Sequence, residues 1–584
     1  MKKLSFALMG VVAVVIAVST ILPNSETIYG SLWFKLLWGA IVVCGTAVML
    51  KARLWQRPAV FLLHLSFIVI LLGALITSLT SHRGTLHLRQ GVPTDGYVCQ
   101  NQLLHLPEYI RLDSFYIVRY PGTQAPQDYV SLISSEGKSY RISMNKIARI
   151  HGYRLYQTSY DEDLQGSILT VNYDPYGTPV TYAGYTLFLI SFLLTLIKPK
   201  RKYCALIALL VVSAATANNS LPVIPRHQAD SLEQQTVIWN NRTVPFGVVA
   251  HDFMQKVYGK PNFQGLTPTQ AVVSWTLAPK AWNAQPLIKE KGKGYRCLND
   301  FIDYSQATPV LRGMGQNAAT DEKVALILML QNGTLTQTPT ADAAKLSTTR
   351  IQAELLNVRM PWSIIGVAIC ALSLLASFIR RIPKRPILAS SLAFLIFHFG
   401  LRWYLSGHIP LSNTYETLHF VALCLVAYAT IKIKESWTAL LAAIAALFVA
   451  WLVDRNPQIT PLMPILHSPW LSAHVSIIML SYALLVLSFF RRQLLRVAVG
   501  LLAIGIFLGA VWANVSWGAY WTWDPKESWA LITLIAYSIP LHTESLPWFR
   551  SIRNYRLYSL LCLAALLMTY FGVNYLLGGM HSYA

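Results

Sequence analysis

Residues 512–542 read WANVSWGAYWTWDPKESWALITLIAYSIPLH, and this stretch decides the fold. Trp517, Trp521, Trp523 and Trp529 fall within thirteen positions, with Asp524, Lys526 and Glu527 among them and apolar runs on both sides. Soluble cores do not concentrate indoles in this way. An indole is satisfied at the membrane–water interface, where its ring meets lipid and its N–H meets water. The stretch therefore reads as a re-entry between two transmembrane helices, with an aromatic shelf at the lipid surface. An anchoring belt spreads single Trp and Tyr residues over many helix ends. Four in one loop, with Gly518 permitting close backbone approach, point to a platform for a large flat ligand.

Working outward, the whole chain agrees with a membrane setting. Its 584 residues are 54% apolar and only 13% charged, too apolar for an ordinary soluble protein of this size. The net charge of +22 does not indicate nucleic acid, because Lys and Arg sit mainly in short clusters beside apolar runs. That is the positive-inside pattern of membrane proteins. There are seven cysteines and no CxxC, which excludes a thioredoxin-like redox pair and a zinc ribbon. Cys44, Cys204, Cys370, Cys424 and Cys562 fall in apolar runs and read as small hydrophobes. Cys99 and Cys297 fall in loops placed outside, where two readings stand: a disulfide, or two free thiols. No phosphate-binding loop and no nucleophile–base constellation stands out, so neither ATP-driven transport nor nucleophilic catalysis is supported.

The apolar runs give about thirteen spans: 4–22, 33–50, 58–80, 181–197, 203–217, 362–379, 387–405, 414–432, 437–453, 470–490, 496–513, 527–545 and 557–577. The first reads as a retained anchor, with a cleaved signal peptide as the alternative. The short 203–217 run ends in SAATAN and is either a span or an internal signal sequence. Residues 81–180 alternate, as in YIRLDSFYIVRY (109–120), and read as a β-rich extracytoplasmic domain. Residues 218–360 read as a second extracytoplasmic domain, with a helical pattern near 321–331. Alternating the spans puts KPKRK (198–202), RRIPKR (380–385), KIKES (432–436), RRQLLR (491–496) and FRSIRNYR (549–556) on the inner side. The expected fold is a polytopic α-helical integral membrane protein with its large domains and C-terminus on the extracytoplasmic side. It divides into 1–200, 201–360 and 361–584.

With that topology, the histidines fall at two depths. His474 lies just inside the outer end of the 470–490 span, and His581 lies just past Gly578 and Gly579 at the outer end of the last span. Two histidines flanking an aromatic platform have the composition of a bis-imidazole haem site. His64 stands six residues beyond Pro58, ~10 Å from the inner end at the helical rise. His542 lies near the inner end of the span after the Trp loop. An ionisable residue within a bilayer is costly, so a pair at one depth is a candidate to ligate a second haem. A lone intramembrane histidine is more often a packing residue, and His398 and His419 are read so. His82, His87, His105, His151, His227 and His251 are loop or β-domain residues without partner spacing. His467, seven residues before His474, competes as a ligand. Asn413, Tyr415 and Glu416 either orient the ligand or cap the 414–432 helix. Asp524 reads first as a helix cap and second as a partner for a haem propionate, and Arg402 as a propionate partner.

These residues lie in recognisable motifs. WGAYWTWDPKESWA (517–530) resembles the Trp-rich WWD signature of haem-handling proteins. PLSNTYETL (410–418), SPWLSAHVSIIMLSYA (468–483) and FGVNYLLGGMHSYA (571–584) resemble the CcsA (ResC) branch of System II cytochrome c synthetase. PAVFLLHLSFIVILLGALITS (58–78) followed by RGTLHLRQG (83–91) resembles its CcsB (ResB) partner more loosely. The chain thus resembles a fused CcsB–CcsA protein. The resemblance implies that His474 and His581 are the outer haem ligands and His64 and His542 the transmembrane pair. It implies that Trp517, Trp521, Trp523 and Asp524 form the platform, with haem b at both sites. It further implies a holocytochrome c synthase of the inner membrane, which moves haem outward and links it through thioethers to the CxxCH motif of apocytochrome c. Lipid and a thiol-reducing protein are the other expected partners; nucleic acid is not. A haem exporter or chaperone and a bis-His electron carrier are the alternatives.

Overall fold

The computed structural model describes all residues except 1, 24, 197–221, 291–293, 304–309, 312–316, 339–345, 380, 454–457 and 578–584. Lipid offers no hydrogen bonds, so apolar segments satisfy their own backbone as helices. Among the described residues ten helices are long and apolar enough to cross a membrane. They are Lys2–Ser19, Leu32–Lys51, Pro58–Thr80, Gly177–Leu196, Lys384–Ser406, Thr414–Ile431, Ile433–Val453, Pro469–Phe490, Arg492–Ser516 and Ile552–Tyr575. An eleventh arises if Thr348–Arg359 and Trp362–Phe378, bent 68° apart, count as one span.

Ten or eleven of the expected thirteen spans are thus met by length and composition among the described residues, and each difference has a cause. The 203–217 segment lies outside the described residues. The 527–545 span is shorter than expected: its helix, Pro525–Ser538, has 14 residues and runs into a 3-10 turn at Ile539–Leu541. Pro540 in that turn has no N–H to continue the ladder. The 362–379 run gives a 17-residue helix, and Pro361 sits at the bend before it.

Between the third and fourth of these helices lies one antiparallel sheet. Its strands are β1 (His82–Arg89), β2 (Pro93–Cys99), β3 (Gln102–Arg119), β4 (Pro126–Ser135), β5 (Lys138–Ile142), β6 (Ala148–Ile150), β7 (Tyr153–Tyr160) and β8 (Gly166–Tyr173). The order is β5-β4-β3-β2-β1-β8-β7-β6. Alternate residues such as Leu86, Leu88, Ile110, Leu112, Ile133, Leu155, Leu169 and Val171 form its core. The sheet curls until Ser131 on β4 bonds Gln157 on β7 at 2.6 Å and Ser167 on β8 at 2.7 Å. Residues beyond 221 form a second domain with its own core around Trp239, Phe253, Trp275, Trp282 and Ile327. Its expected helix near 321–331 is Ala318–Gln331. Cys99 and Cys297 are both free, which leaves the free-thiol reading.

The two ends of the bundle differ. At one end basic loops meet: Arg57 pairs with Glu544 at 3.3 Å, Arg491 with Glu435 at 3.6 Å, and Arg492 donates to the Phe549 carbonyl at 2.5 Å. At the other end the sheet meets the Trp loop, and the second domain docks on the loops that end other helices. Tyr120 donates to the Leu462 carbonyl at 2.9 Å, and Arg350 to the Leu405 carbonyl at 2.9 Å. Arg242 bonds Glu354 and also reaches the Ile459 carbonyl at 3.2 Å.

Candidate functional site

At the basic end, the Pro58–Thr80 helix and the turn after Pro525–Ser538 bring His64 and His542 together. Their ring centroids are 5.9 Å apart with an interplanar angle of 80°. His64 Nδ1 meets the Val60 carbonyl at 2.8 Å, and His542 Nδ1 meets the Ser538 carbonyl at 3.0 Å. Each ring is thereby oriented by the turn preceding it, as ligating imidazoles usually are, with Nε2 left for a metal. A metal held at ~2 Å from two imidazole nitrogens sets the ring centres roughly 6 Å apart. The pair fits a bis-imidazole iron. Phe6 of the first helix packs against His542 at 5.2 Å between centroids and walls the pair on that side.

At the opposite end, the Leu495–Ser516 helix stops at Trp517, and the chain crosses to Pro525 without regular structure. Gly518, at φ +83°, lies against the Tyr156 ring; a Cβ there would stand 2.7 Å from Tyr156 Cε2. Trp517 packs edge-on to Trp512 at 4.8 Å, and Trp521 lies perpendicular to Trp523 at 5.7 Å. Trp523 has φ +60°, a left-handed conformation that costs a non-glycine residue energy and so marks an over-determined position. It stacks on Tyr29 at 4.6 Å and 9°. Trp529 donates to Thr20 at 3.2 Å. The two N-terminal helices therefore hold one side of the loop. Asp524 accepts the Lys526 N–H at 2.9 Å and caps the next helix, and Glu527 folds back onto the Thr522 N–H at 2.8 Å. The Trp521 indole N–H is buried without a hydrogen-bond partner among the described residues. Such orphans are rare, and one here suits a loop that closes on a ligand.

His474 sits between Pro469–Phe490 and Leu495–Ser516, its Nδ1 meeting the Gly505 carbonyl at 2.7 Å. Its ring lies over Gly509, where a Cβ would stand 2.7 Å from His474 Cε1. From Gly509 to Trp517 the helix rises ~12 Å. If His474 ligates haem, Gly509→Ala should displace the imidazole and weaken binding at this end by about 10-fold or more, the loss typical of a mispositioned ligand. A haem titration of the variant with the His64–His542 pair removed measures this. Unchanged affinity would mean that His474 is not a ligand. His581 lies outside the described residues.

Of the other candidates, some have surroundings the sequence did not suggest and some have those it did. Arg402, read as a propionate partner, instead clasps Glu416, Nε at 3.0 Å and Nη2 at 2.7 Å, with both side chains almost fully buried. A guanidinium so held is committed to its carboxylate. Asn413 caps its helix by accepting the Glu416 N–H at 2.9 Å. His467 lies 3.0 Å from the Tyr120 hydroxyl, against the sheet. His398 and His419 form a buried cluster, 4.7 Å apart, with Trp362 and Tyr415. The N-terminal helices' grip on the Trp loop, and the arginines that the sheet brings to it, gave no local sequence signal.

Comparison with known proteins places this arrangement among relatives. The cytochrome c assembly protein family model matches residues 411–491 and 487–581, and the ResB-like family model matches 44–170. NrfI of Wolinella succinogenes is 25% identical over 98% of this chain and 94% of its own length. The cytochrome c biogenesis protein CcsA of Parasynechococcus marenigrum is 33% identical over 31% of this chain and 80% of its own. CcsA of Chlamydomonas reinhardtii is 32% identical over 38% of this chain and 72% of its own.

Proposed function

Since the chain belongs to the cytochrome c assembly family, with a ResB-like region ahead of the CcsA-like one, we propose that it carries haem across the membrane and attaches it to apocytochrome c. The observation that supports this reading is the placing of histidines at two levels of one bundle. His64 and His542 stand together at the basic end, and His474 stands under the Trp loop at the other.

The positive-inside rule makes the basic end cytoplasmic. Haem enters there as cargo, held between His64 and His542. It is delivered to the outer end, where His474 and His581 ligate iron and Trp517, Trp521 and Trp523 hold one edge of the ring. Asp524 keeps the loop in shape by capping the helix after it. The sheet lies beside this loop, where it can receive an apocytochrome segment carrying CxxCH. Its histidine displaces one protein ligand. Each thiol then adds across one vinyl group, sulfur to one carbon and hydrogen to the other, with no net oxidation. Holding thiol and vinyl in register can supply several kcal/mol of that barrier.

Co-expression with a CxxCH apocytochrome, in cells lacking any other attachment system, tests this. Haem that stays on the cytochrome through denaturing electrophoresis is expected with the wild type, and its loss with His474→Ala. Free haem accumulating outside with no linked product would favour an exporter.

A further inference from the structure

Register in the sheet sets an unusual row. Arg83 on β1 is the partner of Asn172 on β8, Asn172 of Arg154 on β7, and Arg154 of Arg149 on β6. Cross-strand partners share a face, so three guanidiniums and one amide line up on the outer face of four adjacent strands. That face meets the Trp loop. Arg83 donates to the Trp517 carbonyl at 3.2 Å, Asn172 donates to the Gly518 carbonyl, and Arg154 donates to Asn514 Oδ1 at 2.9 Å.

Among the described residues the row has no counter-charge. Directly opposed like charges destabilise a sheet, and Arg149 and Arg154 are directly opposed. None of the three forms a salt bridge among the described residues. Arg154 Nη2 and the Tyr156 hydroxyl are buried there without hydrogen-bond partners. Burial pushes the Tyr156 phenol up to about 12, and the positive charges of Arg154, Arg149 and Arg83 oppose that rise. Arginines so placed are built to take a carboxylate or phosphate in paired hydrogen bonds.

We propose that Arg83, Arg149 and Arg154 form the anion subsite of the outer site and receive the carboxylates of the porphyrin while its ring lies on the Trp loop. This rests on the outer haem reading. It assigns the ResB-like sheet a part in the CcsA-like site: the sheet fixes which edge of the porphyrin points toward it, and leaves the opposite, vinyl-bearing edge for the thiols.

The test is a spectral titration of the full chain, with His64→Ala and His542→Ala closing the other site, using haem and its dimethyl ester. In this background haem should bind more tightly than the ester. Adding Arg83→Gln and Arg154→Gln should reduce that preference by roughly 10-fold or more, the value of a charged hydrogen bond. Ester affinity should fall far less than haem affinity, since only the loop contacts of Arg83 and Arg154 are lost to it, and retained ester binding also shows that the variant folds. An undiminished preference in the variant overturns the proposal. So does a preference that disappears in the wild type when phosphatidylglycerol replaces phosphatidylcholine in the nanodisc while the variant is indifferent to lipid, since the row would then hold a lipid phosphate. If His474→Ala leaves both titrations unaltered, the outer haem reading itself fails.

Discussion

Glu416→Ala should destabilise the protein by about 3–5 kcal/mol, the usual cost of stranding one member of a buried ion pair. Glu416 uses both oxygens. Oε1 takes Arg402 Nε and Nη2 at 3.0 and 2.7 Å, and Oε2 takes the Ser412 N–H and hydroxyl at 2.9 and 2.7 Å. The pair thereby ties the Lys384–Ser406 helix to the turn that starts Thr414–Ile431. Removing the carboxylate leaves the guanidinium charge in a site where both side chains are 1–2% exposed. Equilibrium unfolding in detergent measures the change. The double variant Arg402→Met/Glu416→Leu should recover much of the loss, because an apolar pair strands no charge. A Glu416→Ala protein as stable as the wild type would show that the pair is solvated.

The second large effect concerns the basic end. His64→Ala and His542→Ala should each remove the haem held there, and the double variant should lose no more than either single one. Two ligands of one iron act as a unit, so their losses do not add. The 5.9 Å between the rings is what makes them a unit. Haem content per chain and the absorption spectrum of the three variants decide it. Losses that add would place the two histidines in separate sites.

The spans and the Trp loop were legible because lipid imposes a simple rule on composition. Apolar length and flanking Lys and Arg report a helix and its ends. The rule set the end of the 527–545 span too far on, because Pro540 ends the regular ladder just past Ser538. Depth counting set His64 and His542 at one level, and the structure has their rings adjacent. It could not reveal what lies beside them. Tyr29 on Trp523 and Thr20 on Trp529 join residues almost five hundred positions or more apart in the chain. The arginine row depends on strand register, and a shift of one residue would turn every one of its side chains to the other face. In the sequence Arg402 reads as a propionate partner. Its partner lies across a helix end, fourteen residues on, where no periodic pattern links them.

The central proposal is two haem sites at opposite ends of one chain. The most direct measurement is the absorption spectrum of the purified protein beside His64→Ala, His542→Ala, His474→Ala and His581→Ala. The account predicts bound haem in the wild type, one spectral component lost with His64 or His542, and a different one lost with His474 or His581. A wild type without haem, or a spectrum indifferent to all four changes, would contradict it and leave the Trp loop as an interfacial anchor.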